Sequence, residues 1–226
     1  CSDYRSSLTV NRSSLTVNRS SSMKRIGIFG GSFNPIHLGH TALAASICDL
    51  GVVDEAWLMV SPQNPLKRNL ELLDENERLK MAQLAVAPYS TLRACDFEFT
   101  LPRPSYTYHT LKALRSSYPE CEFSLIIGED NWLHFDRWYR YEEILRETRL
   151  IVYPRHEQQT TGKQQPQGLK TIHHSEIINH HFEMPLLPYS STEIRHLLAQ
   201  GKSVSHMLHP DVEAYIKEKA FYTKNE

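Results

Sequence analysis

Lys24-Arg25-Ile26-Gly27-Ile28-Phe29-Gly30-Gly31-Ser32-Phe33-Asn34-Pro35-Ile36-His37-Leu38-Gly39-His40 decides the fold of this chain. Its first six residues are a short, mostly apolar run that stops at Gly30-Gly31. From His37 to Leu50 apolar residues recur at helical spacing and end at Gly51. Strand, loop and helix therefore follow one another. Two glycines after a buried strand let the backbone turn sharply and approach a ligand with no side chain between. The amides of Ser32 and Phe33 can then face a phosphate, and the helix after Pro35 points its positive end at the same place. His37 and His40 lie three apart, so on a helix they share one face. Two imidazoles there can donate to phosphate oxygens as negative charge redistributes in a transition state.

The alternation continues outward from this segment. Glu55 to Val60 reads as strand, Asp74 to Ala87 as helix, Thr91 to Phe97 as strand and Tyr106 to Tyr118 as helix. Phe123 to Ile127 is the next apolar strand; a helical stretch through Leu145, a strand from Leu150 to Tyr153, a polar connection, a strand from Leu169 to His173 and two closing helices follow. This pattern predicts an α/β, Rossmann-like, doubly wound fold with a mainly parallel sheet and helices on both faces. Ligands of such folds bind beyond the carboxyl ends of the strands, near the point where strand order reverses. Gly30 to Pro35 lies at such an end.

The chain has 226 residues, 40% of them apolar, enough to bury a core. Its 25 basic and 26 acidic residues nearly cancel, which argues against a nucleic-acid or membrane-surface partner and for a small ligand held by a local cluster. Cys1, Cys48, Cys95 and Cys121 form no Cys-x-x-Cys pair, which fits a reducing cytoplasm. Residues 1–22 repeat Arg-Ser-Ser-Leu-Thr-Val-Asn about twice, too few copies for a solenoid. We expect them to form a flexible tail foreign to the natural chain, with Met23 as its start and 23–226 as a single domain ending in a helical part. The reading allows a homo-oligomer.

Several plainer readings compete at the first motif. A Gly-Gly turn is an ordinary strand-to-helix connection, and His-x-x-His can bind zinc, although no nearby Cys or acidic residue completes a tetrahedral set. The loop has neither the Gly-Lys-Ser/Thr of a Walker A sequence nor the Gly-x-Gly-x-x-Gly dinucleotide fingerprint. Near the other end, Pro188-Tyr189-Ser190-Ser191-Thr192-Glu193-Ile194-Arg195 opens a second helix. Ser190 and Glu193 form a capping box that needs no ligand. The same hydroxyls and amides at a positive helix end, with the Arg195 guanidinium one turn inside, also suit a phosphate.

Residues 30–40 resemble the G-G-[ST]-F-[DN]-P-x-H-x-G-H signature of adenylyltransferases in the His-x-Gly-His nucleotidyltransferase superfamily, with Asn34 where Asp is usual. Ser190 to Arg195 is similar to the family's second motif. Pro104-Ser105-Tyr106-Thr107, Ile126-Ile127-Gly128-Glu129-Asp130 and Phe135-Asp136-Arg137-Trp138-Tyr139 resemble bacterial nicotinate-mononucleotide adenylyltransferases in particular, as does the Pro-rich loop from Ser61 to Lys67. The likeness runs from about Lys24 to Tyr222.

The resemblance implies transfer of the adenylyl group of ATP to nicotinate mononucleotide in NAD biosynthesis, giving nicotinate adenine dinucleotide and pyrophosphate. Mg²⁺ would accompany ATP, and no dedicated protein metal site is expected. Catalysis would fall to His37, His40 and Arg195. ATP would lie on Gly30, Gly31, Ser32, Phe33, His37, His40, Gly128, Asp130, Ser190, Thr192 and Arg195. Nicotinate mononucleotide would lie on Ser32, Asn34, Lys67, Tyr106, Thr107 and Trp138. Trp138 can stack on the pyridine ring and Thr107 with helix-start amides can bind its carboxylate; Trp132 is the competing stacker, and core packing is the plainer reading of each ring, more so for Trp132. Phosphopantetheine adenylyltransferase shares the first motif, and a nucleotide-sensing module without turnover is a further alternative. His173, His174, His180 and His181 read as a partly exposed loop and not as a metal site.

Overall fold

The computed structural model describes residues 23–62, 72–154, 169–173, 176–180 and 187–223. In it, β1 (Lys24–Gly31) leads to α1 (Leu38–Asp49), β2 (Glu55–Val60) to α2 (Glu75–Val86), and β3 (Leu92–Cys95) to α3 (Thr107–Ser117). β4 (Cys121–Gly128) is followed by the short α4 (Glu129–Trp132), by α5 (Tyr141–Glu147) and by β5 (Arg149–Tyr153). β6 (Leu169–His173), β7 (Glu176–His180), α6 (Ser191–Ala199) and α7 (Pro210–Glu218) complete the described chain.

The sheet has seven strands in the order β3-β2-β1-β4-β5-β6-β7. β1 to β5 pair in parallel, whereas β6 and β7 run antiparallel at one edge. Successive strand residues point to opposite faces, and the core divides accordingly. Phe29, Leu58, Ile126 and Ile151 face Leu43 and Ile47 of α1, Met81 and Ala85 of α2, and Val212 and Ile216 of α7. Ile28, Met59, Leu125 and Leu150 face Leu111 and Leu114 of α3 and Ile144 of α5. Both sides of the central strands are buried, which explains why β1, β2 and β4 read as apolar runs and not as alternations.

The mainly parallel, doubly wound sheet agrees with the expectation; the differences are local. The strand expected over Thr91 to Phe97 is cut to β3 by a single 3-10 turn at Phe97–Thr100. The helical stretch expected through Leu145 breaks into α4, a 3-10 turn at Phe135–Arg137, and α5. Arg140 stands at the break with φ of 55°, a left-handed conformation that cannot continue a helix. The segment around Glu176, read as loop, is β7, paired with β6 in the register His173↔Glu176. Residues 1–22, Lys67, most of the polar connection between β5 and β6 (155–168), His174 and His181 lie outside the described residues. Among the described residues no helix is long and apolar enough to cross a membrane.

The strand order reverses between β1 and β4, because β2 and β3 extend to one side and β5 to the other. The crevice beyond the carboxyl ends of β1 and β4 is where such sheets hold ligands.

Candidate active site

The loop from Ser32 to His37 leaves β1 at this crevice. Phe33 has φ of 45°, a left-handed value uncommon for a residue with a side chain, and its ring is buried beneath the loop. Added to Gly31, a Cβ would lie 2.9 Å from that ring, so the close turn requires glycine. His37 is the extended N-cap of α1 and not its first helical residue. Its backbone N–H donates to His40 Nδ1 at 3.2 Å, and the two imidazoles stack with centroids 3.7 Å apart. With Nδ1 accepting from the loop backbone, the His40 imidazole is oriented by the chain itself. Gly39 permits the stack, since a Cβ there would meet His37 Nδ1 at 3.0 Å and Cε1 at 3.1 Å. The edge of the Phe33 ring braces His40 from below at 5.0 Å.

The second element docks directly on the first. Arg195 Nη1 donates to the Asn34 carbonyl at 2.7 Å, and Ser191 Oγ donates to the Pro35 carbonyl at 2.8 Å. Arg195 Nη2 reaches Thr192 Oγ1 at 3.2 Å. Ser190 caps α6 by accepting the Glu193 N–H at 3.1 Å, one of the two bonds of the expected capping box, while the same turn lies against the loop. Residues 161 positions apart thus meet at one place, with the guanidinium held between the loop backbone and the α6 hydroxyl.

After β4, Gly128 is the N-cap of α4, and a Cβ on it would strike Asp130 Oδ1 at 2.5 Å. The exposed Asp130 carboxylate folds back over that backbone. Tyr106 is the N-cap of α3 but supplies no side-chain cap, and Thr107 is the first helical residue. Among the described residues no side chain caps the first turn, where the His109 N–H donates to the Tyr106 carbonyl at 2.9 Å. The Tyr106 ring lies 4.9 Å from that of Tyr139. Trp132 and Trp138 both pack on Phe135, at 5.8 and 5.0 Å, so each half-buried indole has a core role on one face.

Asn34 is almost wholly buried, and its Oδ1 accepts from the Tyr222 hydroxyl at 2.7 Å and the Leu73 N–H at 3.4 Å. Its expected substrate role therefore coexists with a role inside the loop. Tyr222 and Arg78 are site-forming residues that sequence reasoning missed. Arg78 is 1% exposed and donates to the carbonyls of Ser32, Ser61, Pro62 and Leu73, at 2.7, 2.7, 3.0 and 2.9 Å. Burial lowers its pKa from the ordinary value, opposed by the nearby Glu75 carboxylate. Glu98, also buried, accepts from Thr110 Oγ1 at 2.8 Å, and burial pushes its carboxyl above the ordinary range.

A glycine turn carrying two histidines and an arginine-bearing helix start meet at the switch point of a parallel sheet, the arrangement of a nucleotidyltransferase. The cytidylyltransferase-like family model matches residues 28–197. A Bacteroides thetaiotaomicron protein named "Probable nicotinate-nucleotide adenylyltransferase" is 46% identical over 198 residues, covering 88% of this chain and 93% of its own. A Bacteroides fragilis protein of the same name is 47% identical over 188 residues, covering 83% and 89%. Among solved structures, nicotinic acid mononucleotide adenylyltransferase of Plasmodium falciparum complexed with NaAD shares the fold, with a TM-score of 0.67 at 21% identity, covering 88% of this chain and 97% of that one. The chain belongs to the nicotinate-nucleotide adenylyltransferase family.

Proposed function

We propose that this chain transfers the adenylyl group of ATP to nicotinate mononucleotide, forming nicotinate adenine dinucleotide and pyrophosphate for NAD biosynthesis. The carrying observation is the Arg195–Asn34 bond of 2.7 Å, which joins the two phosphate elements into one site. A phosphate oxygen of the mononucleotide forms a bond to the α-phosphorus of ATP while the bond from that phosphorus to the β-bridging oxygen breaks. The attacking oxygen is already anionic, so no base is needed, and positioning with charge stabilisation carries the reaction.

In this reading the Ser32 and Phe33 amides and the imidazoles of His37 and His40 donate to the ATP phosphates above Gly30 and Gly31. Ser190, Thr192 and Arg195 hold the β- and γ-phosphates as they become pyrophosphate. The backbone at Gly128, with Asp130, borders the nucleoside. Thr107 and the α3 amides receive the nicotinate carboxylate, Trp138 lies against its ring, and Tyr106, Asn34, Ser32 and Lys67 complete that side. Among the described residues no group of three or more His, Cys, Asp or Glu side chains could hold a metal ion. Mg²⁺ would come with the triphosphate and its own waters and neutralise phosphate charge. We assign residues 23–226 to one catalytic domain working in the cytoplasm, a placement supported by the free thiols of Cys48, Cys95 and Cys121.

Pyrophosphate release with ATP and each of nicotinate mononucleotide, nicotinamide mononucleotide and phosphopantetheine tests this reading. Release fastest with nicotinate mononucleotide is expected. Release with phosphopantetheine alone, or with none of the three, would overturn it, the latter in favour of a nucleotide sensor.

A further inference from the structure

Arg78 lies on α2, outside both motifs in the sequence, and is among the most deeply buried of the described side chains. Among the described residues its hydrogen-bond partners are four backbone carbonyls and no carboxylate. A buried guanidinium hydrogen-bonded to carbonyls alone, with the Glu75 carboxylate near but not bonded to it, is costly unless the loops it joins need fixing. Three of those carbonyls sit where the chain leaves the sheet: Ser32 after β1, and Ser61 and Pro62 after β2.

The Ser32 carbonyl belongs to the same peptide unit as the Phe33 N–H. A charged donor 2.7 Å from that oxygen draws electron density along the peptide and makes the N–H at its other end a stronger donor. No backbone carbonyl among the described residues accepts the Phe33 N–H, and Phe33 holds the left-handed conformation of the loop that leaves β1.

We propose that Arg78 is a positioning residue for adenylyl transfer: it fixes the Ser32–Phe33 peptide against the end of β2 and polarises the Phe33 amide toward the ATP phosphates. This rests on the adenylyl-transfer reading above. Ser61 and Pro62 anchor the guanidinium so that its charge stays on the Ser32 oxygen. Lysine keeps the charge but lacks the planar fork and cannot serve all four carbonyls.

Amide NMR and steady-state kinetics test the proposal together. In the unaltered protein the Phe33 amide proton is expected downfield of ordinary amides and to shift again on addition of ATP alone. In Arg78→Lys and Arg78→Gln it moves upfield. Arg78→Lys lowers kcat/KM for ATP about tenfold or more, the scale of losing one charge-assisted bond, while KM for nicotinate mononucleotide changes far less. A Phe33 amide at an ordinary position in the unaltered protein overturns the proposal, even if both variants fail to fold. So does Arg78→Lys with unchanged kcat/KM for ATP, or with losses equal for both substrates and in step with a lower melting temperature. Absence of adenylyl transfer by the unaltered protein would refute the parent reading, and the amide shift would still decide the role of Arg78.

Discussion

Gly39→Ala separates stability from activity at the His37–His40 pair. The new Cβ would lie 3.0 Å from His37 Nδ1, 3.1 Å from Cε1 and 3.4 Å from the Leu187 carbonyl. The backbone cannot yield cheaply, because the Leu38 N–H is tied to the Met207 carbonyl at 2.9 Å and the His40 N–H to that of His37 at 2.9 Å. The imidazole must therefore move by a few tenths of an ångström, against a stacked partner at 3.7 Å. For stability the crowding is offset by alanine's helix propensity, worth up to about 1 kcal/mol in a helix interior and less in this first turn. The melting temperature should change by only a few degrees, since about 1 kcal/mol corresponds to roughly 2–4 °C in a domain of this size. Activity has no such compensation. Displacing a positioning group by about 1 Å can cost on the order of a hundredfold, so a shift of a few tenths should cost roughly tenfold in kcat. Thermal melting and pyrophosphate release measured side by side check this. Unchanged kcat, or a kcat loss accompanied by a comparable collapse in stability, would refute the reasoning.

Three further outcomes follow from the same geometry. Arg195→Lys loses the fork that spans the Asn34 carbonyl and Thr192 and should lower kcat/KM for ATP by about 10–100-fold in initial-rate assays, consistent with about 1.5–3 kcal/mol for a charge-assisted bond. Trp138→Ala should raise KM for nicotinate mononucleotide more than KM for ATP, whereas Trp138→Phe, which retains packing on Phe135, should recover most of the loss; equal effects on both substrates would reduce Trp138 to core packing. Glu98 gives a pH signature: burial raises its folded-state pKa above the unfolded value near 4.5, so its stabilising contribution is full below that value and is lost as pH rises through the folded pKa. Glu98→Gln should flatten that decline in denaturant melts, and identical slopes for the two proteins would contradict it.

Much of the site was legible because its chemistry is dense in sequence. Gly30 to His40 places a tight turn, a helix start and two imidazoles within eleven residues, and local physics alone puts them at one point. Arg195 was legible as a helix-start cation, although its bond to Asn34 is a tertiary fact. Arg78 was not legible: within Glu75-Asn76-Glu77-Arg78-Leu79-Lys80 it reads as one of several charges on a solvated helix face. Only the packing of α2 beneath two strand ends buries it. Tyr222 was hidden in the same way, 188 residues from the Asn34 it touches. β7 escaped because its apolar centre, Ile177-Ile178, is only two residues long between histidine pairs, and short edge strands carry little pattern. The break at Arg140 was missed because a left-handed arginine has no sequence signature.

A single direct transfer from ATP to the phosphate of nicotinate mononucleotide inverts the configuration at the α-phosphorus. With ATP made chiral there by one sulfur and one oxygen, the expected product is nicotinate adenine dinucleotide thiophosphate of inverted configuration, with one pyrophosphate per dinucleotide. Retained configuration, which requires an intermediate bound to the chain, or the absence of any dinucleotide, would contradict it.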